Sequence, residues 1–323
     1  MAVFTELTAH DLDVLLRDYD IGDFSSLSPI SAGIENTNYF VETRSSSGSL
    51  RRWVLTIFEN LSLHELPYFC ELTAHLAQDG FSVPAPVLMH SGKAIFEFGE
   101  KRGVIVPCLS GEARRFPSIL DCAALGAWMA RMHVSLQGFK EKRPNIRNLS
   151  WMQAHAARLA PVMDAQEYAE LIQAIQRFQD QQPLLAKCPQ GTVHGDFFHD
   201  NVLFEGNEIS GVIDFYNASE APLLYDLAVA ANDWSIDKDG QRDQAKLKAL
   251  VDAYRESRGW TADEELAWPY FLELAALSFW VSRLSSFHTV TYQKTGLVSG
   301  DVLKDPNEMR NIMRLSMKPI AND

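Results

Sequence analysis

The chain carries two hydrophobic rhythms in succession, a period of two in its first third and a helical period in the rest. Thr8, followed by Asp11, reads as an N-cap opening a helix through "DLDVLLRDY". "NTNYFVET" and "RRWVLTIFE" then alternate, rich in aromatic and β-branched residues, and "RSSSGSL" between them is a flexible Ser/Gly turn. Together they predict a β-hairpin. "LPYFCELTAHLAQDG" returns to helical spacing and stops at Gly80, as a C′ glycine would. An extended, Pro-rich "VPAPVLMHSG" leads to short strands in "KAIFEF" and "KRGVIVPCL".

From Gly111 onward helices dominate. Leu125, Met129, Met132 and Leu136 recur at helical spacing and predict one apolar face over "SILDCAALGAWMARMHVSLQG". Further helices are expected near 150–160, 164–180, 222–233, 241–257 and 262–286. The aromatic-rich "AWPYFLELAALSFW" reads as core packing of the last of these. The β interruption among them is "GTVHGDFFHDNVLF" and "ISGVIDF", with "EGNE" as the turn. The expected organisation is a β-rich lobe over 1–108 and an α-rich lobe over 109–323, with "VIVPCLSG" as the hinge.

Composition narrows the function. A chain of 323 residues with 46% hydrophobic content can bury a large core, and a net charge of −13 with no basic block argues against nucleic acid or an anionic membrane as partner. Nucleotides stay open, because backbone N–H groups and a metal ion can hold phosphate without a basic field. The start has no signal-peptide pattern, and the apolar run at 271–281 is broken by Glu273. Cys70, Cys108, Cys122 and Cys188 form no CxxC pair and read as reduced thiols. A cytoplasmic protein is expected.

The candidate chemistry lies in three places, in order: "SAGIENTNYFV", a glycine loop running into a strand; His194, Asp196 and Asn201 in one polar loop; and Asp214 in "GVIDFYNAS". Phosphoryl transfer needs a carboxylate beside the attacking hydroxyl and hard oxygen ligands for a divalent ion. The hairpin over 202–214 would return Asp214 beside Asp196 and Asn201. Taken alone, each stretch has a plainer reading, a polar turn or a glycine that permits a bend. The P-loop Gly-Lys-Ser/Thr and the Gly-x-Ser-x-Gly elbow are both missing. His194 with His199 lacks the spacing and third ligand of a metal site, and His199 and Asp200 read as solvated loop residues.

"HGDFFHDN" followed by "IDF" resembles the signature of the kinase-like phosphotransferases that act on aminoglycosides, choline and other small alcohols. With "GIENTNYFV", "WVLTIFE", "YDLAVAANDW" and "FWVSRL", the whole chain looks most like the homoserine kinases of that superfamily. The resemblance implies an α+β, two-lobed protein-kinase-like fold: a small antiparallel sheet with one helix, then a mainly helical lobe, with ATP between them. It implies ATP and Mg²⁺ as cofactors and L-homoserine as acceptor. It implies Asp196 as the base that orients the hydroxyl, and Asn201 and Asp214 as metal ligands. His194 would be a scaffold of the loop, with Ser31, Ala32, Gly33 and Asn36 in the phosphate-covering loop. One position departs from the pattern, since Thr56 stands where the family carries its ATP-site lysine; Arg52 and Lys93 are candidate replacement cations, and Glu65 and Glu71 candidate partners.

Asp226, near a helix N-terminus, reads as a cap or an anchor for the catalytic loop. An amino-acid substrate needs an acid and a base in its pocket, which Asp233 and Arg283 would supply, although an arginine on a late helix is equally an interhelix pair. Two rival functions remain at this level: a kinase of another small alcohol, and a nucleotide-binding module without turnover.

Overall fold

The computed structural model describes residues 4–30, 36–59, 64–292 and 304–316. It divides into two compact units, Met1–Gly111 with Ser210–Ile213, and Glu112–Ile209 with Asp214–Asp323.

In the first unit, α1 (Ala9–Leu16) opens at Thr8, whose side chain accepts from the Asp11 amide while the Asp11 carboxylate accepts from the Thr8 amide, a reciprocal capping box. The sheet contains β1 (Asp23–Pro29), β2 (Asn36–Arg44), β3 (Leu50–Phe58), β4 (Phe96–Phe98) and β5 (Lys101–Pro107), in the order β1-β2-β3-β5-β4 with antiparallel neighbours. The alternation of β2 and β3 puts Tyr39, Val41, Leu55 and Ile57 into one core with Leu12 and Leu16 of α1. α2 (Leu66–Gln78) buries Leu66, Phe69, Leu72 and Leu76 along one stripe, and the chain leaves it through Gly80 at φ +84°. Strand β1 was not expected from the sequence. It is a sheet edge with mostly exposed residues, so no apolar alternation marks it. Residues 210–213 are tied in by the Ser210 hydroxyl donating to Ser110 O at 2.7 Å and Val212 N donating to Ser82 O at 3.0 Å.

The second unit is mainly helical. α3 (Ile119–Ser135) buries Leu125, Met129 and Met132 as its spacing predicts, and Leu136 is buried just beyond its end. α4 (Leu149–Leu159) and α5 (Ala165–Leu185) follow. Two small sheets then frame the polar loop. β7 (Gln190–Val193) pairs with β10 (Ser219–Pro222), and β6 (Glu112–Ala113), β8 (Val202–Glu205) and β9 (Glu208–Val212) form the other. α6 (Leu224–Trp234) starts two residues later than expected because the preceding segment is β10. α7 (Gln244–Arg258) is capped by Asp243, and α8 (Ala262–Tyr292) and α9 (Pro306–Ser316) complete the unit. A side chain at Gly126 would run into the Leu250 carbonyl, so glycine lets α3 and α7 pack backbone to backbone. Among the described residues no helix is long and apolar enough to cross a membrane.

Candidate active site

The polar loop leaves β7 at Val193 and ends where β8 begins at Val202. α6 fixes its start. That helix is buried almost all round, so its two fully enclosed polar residues, Asp226 and Asn232, need internal partners. Asp226 accepts from the backbone amides of His194 and Gly195, both at 2.7 Å. Its Oδ2 also meets His133 Nε2 of α3 at 3.1 Å, and His133 Nδ1 meets the Tyr254 hydroxyl of α7 at 2.9 Å. A proton on Nε2 makes the ring a donor to Asp226. Gly195 sits at φ +80°, where a side chain would close to 2.9 Å on Asn217 O, so this position needs glycine.

The loop then folds on itself. His194 Nδ1 accepts from the Asp196 amide at 3.1 Å, and its ring lies 4.5 Å from those of Phe197 and Phe215. Asn201 donates through Nδ2 to Asp196 O at 2.8 Å and to the Asp196 carboxylate at 3.2 Å. The half-buried Asp196 carboxyl is pushed up to about 6 by loss of hydration, an effect that Arg147, Lys304 and the Asn201 bond oppose. Trp234 Nε1 holds Phe197 O at 3.0 Å.

Asp214 follows β9, exposed, in the left-handed conformation at φ 64° and ψ 59°. It is the one non-glycine residue at positive φ among the described residues. Aspartate tolerates this region better than most residues, and such strain collects at functional sites. The segment after it packs on the polar loop through Phe215 against His194 and enters β10, where Ser219 pairs with Val193. The loop's beginning and the Asp214 segment are therefore neighbours.

The donors of this region suit a hard divalent ion. With Asn201 Nδ2 engaged by Asp196, the amide's Oδ1 is its acceptor atom, and Asp214 brings carboxylate oxygens. Among the described residues no group of three His, Cys, Asp or Glu side chains could hold a metal by itself. An ion here would draw its remaining ligands from phosphate oxygens and water, as Mg²⁺ beside a nucleotide does.

Other expected residues take different places. Asp233 Oδ2 accepts from the His199 amide at 2.6 Å and meets its Nδ1 at 2.8 Å, which raises the imidazole above its ordinary pKa. His199 is thus bonded into the loop, where a solvated residue was expected, while Asp200 is exposed and pairs with Lys304 at 3.1 Å. Arg283 donates to Glu308 of α9 and, at 3.1 Å, to Asp305 O, the interhelix pairing that was its plainer reading. In the first unit, Asn36 opens β2, and the buried Thr56 hydroxyl donates to Asn38 Oδ1 at 2.8 Å. Arg52 pairs with Glu42 at 2.9 Å and Lys93 is exposed. Ser31, Ala32 and Gly33 lie outside the described residues.

Sequence reasoning passed over His133, Tyr254 and Arg147. His133 could have been found, because it interrupts the apolar face of α3 next to Met132. Arg147, in the short connection before α4, carries no such signal. Its guanidinium lies 5.1 Å over the Phe279 ring, and among the described residues its buried Nη1 has no hydrogen-bond partner.

Residues 26–260 match the phosphotransferase enzyme family. The chain is 38% identical over 319 residues to the homoserine kinase of Methylobacillus flagellatus, covering 98% of this chain and 96% of that one. It is 37% identical to the homoserine kinase of Neisseria meningitidis serogroup B, covering 97% and 99%. Among solved structures it is similar to a microcompartment-associated aminopropanol kinase, with TM-score 0.71, 19% identity and 96% of each chain covered. It is also similar to an amicoumacin kinase in complex with AMP-PNP and Ca²⁺, with TM-score 0.68, 18% identity, and 94% and 92% covered.

Proposed function

Because this chain belongs to the phosphotransferase enzyme family, in its homoserine kinase branch, we propose that it transfers the γ-phosphoryl group of ATP to the side-chain hydroxyl of L-homoserine. The product is O-phospho-L-homoserine, on the route to threonine. Asp196 takes the proton of the attacking hydroxyl as the oxygen bonds to the γ-phosphorus and ADP departs with the bridging oxygen. The observation that carries this assignment is the Asn201 amide on the Asp196 carboxylate, within a loop whose amides are gripped by buried Asp226. The grip fixes where the base stands before substrate arrives, which is where such an enzyme gains most of its rate.

Asn201 Oδ1 and the Asp214 carboxylate hold the divalent ion, which when bound neutralises charge on the nucleotide phosphates. His194 and Asp226 are positioning residues. The first unit takes the nucleotide with Ser31, Ala32, Gly33 and Asn36, and Thr56, its hydroxyl bonded to Asn38, stands where the usual lysine would be. The four free cysteines suit a reducing cytoplasm.

The reading is tested by ATP consumption against homoserine, serine, choline and an aminoglycoside. Homoserine is expected to give the highest kcat/KM. A clear preference for choline or the aminoglycoside would reassign the acceptor, and no turnover with any of them would leave a nucleotide-binding module.

A further inference from the structure

The buried Nη1 of Arg147 is the charged group left without a hydrogen-bond partner among the described residues. Arg147 as a whole is half-buried, but a guanidinium nitrogen withdrawn from water is costly unless an anion or acceptor meets it. Its surroundings say where that anion would lie. Arg147 packs over Phe279, and Phe279 meets Phe198 edge-on at 4.8 Å. Phe198 is two residues beyond Asp196, so the cation stands on an aromatic wall that continues the catalytic loop. Its charge is also felt by the Asp196 carboxyl and by the buried Tyr225 phenol of α6.

The neighbouring cations are already engaged. Lys304 lies 4.7 Å over the other partner of that wall, Phe198, but it is half exposed and paired with Asp200. Arg283 is held by Glu308 and Asp305 O. The phosphate charge falls to the divalent ion that Asn201 and Asp214 would hold. The anion that remains unmatched in an amino-acid alcohol whose hydroxyl reaches Asp196 is its α-carboxylate, a few bonds away. We infer that Arg147, rather than Arg283, binds the substrate α-carboxylate through its planar fork and so selects amino acids over simple amino alcohols. This rests on the homoserine kinase reading above.

The test compares L-homoserine with 3-amino-1-propanol, which lacks only the carboxylate, in the wild-type enzyme and in Arg147→Met and Arg147→Lys. The wild type is expected to prefer homoserine. Arg147→Met should shrink the ratio of kcat/KM for homoserine over 3-amino-1-propanol roughly 10- to 100-fold, the size expected for a charge-assisted pair, mainly through the KM for homoserine. The KM for ATP should stay within about threefold, and Arg147→Lys should recover part of the ratio. An equal loss on both alcohols would overturn the inference, because it would place Arg147 on the phosphoryl group or on Asp196. So would a raised KM for ATP with an unchanged ratio. If Arg147→Met does not fold, Arg147→Gln gives the same comparison. A wild-type enzyme that fails to phosphorylate homoserine defeats the function reading, and this inference with it. Homoserine turnover with an unaltered ratio in the variants defeats the inference alone.

Discussion

Asp214 stands at φ 64° without the freedom of glycine, so its side chain is held there at some conformational cost. As the proposed metal ligand it would offer carboxylate oxygens to an ion that takes its remaining ligands from phosphate and water. Asp214→Asn keeps a residue that tolerates the left-handed region while removing the charge. Its affinity for ATP, titrated calorimetrically with Mg²⁺, is expected to fall at least about tenfold, while ATP binding without the cation stays as in the wild type. Equal Mg²⁺-dependent affinity in the two proteins would remove Asp214 from the metal site. Thr56 is a contrasting case. Its neutral hydroxyl is bonded to Asn38 and supplies no cation, and the sequence alone showed that a lysine was missing.

At the level of elements, the loop owes its shape to three helices that meet behind it. Asp226 of α6 grips the His194 and Gly195 amides, His133 of α3 steadies Asp226, and Tyr254 of α7 steadies His133. Gly126 lets α3 and α7 approach closely enough for this chain to close. Tyr254→Phe would leave His133 Nδ1 buried without its partner, at a cost of about 1–3 kcal/mol. The urea midpoint should fall accordingly, and an unchanged midpoint would show that the hydroxyl contributes nothing. Periodicity revealed α3, α5 and the β2–β3 hairpin because each buries one regular face. It missed β1, a polar edge strand, and α9, which follows residues 293–303 outside the described set. The role of Asp226 was legible from its place near a helix start, but its relay to Tyr254 was not, because the partners lie 28 and 121 residues apart along the chain from α6 and α3.

For the whole molecule, the order of motifs carried the functional reading further than any single motif did. A polar loop, a hairpin and an aspartate are ordinary features separately; their succession pointed to the family, and the relatives are 38% and 37% identical over nearly the full chain. A net charge of −13 also fits a site that handles phosphate by a cation and fixed backbone groups instead of a basic surface. Side-chain pairing across the fold stayed out of reach: Arg283 and Arg147 look alike in sequence, and only the structure shows one tied to α9 and the other left with an unmatched nitrogen. In the proposed reaction Asp196 delivers the side-chain hydroxyl of homoserine to the γ-phosphate of ATP. The most direct measurement is kcat for O-phosphohomoserine formation by the wild type and by Asp196→Asn, with ATP affinity followed in parallel. Turnover is expected to drop by about 10²–10⁴-fold with ATP affinity nearly unchanged; turnover of the variant within about tenfold of the wild type would contradict the assignment.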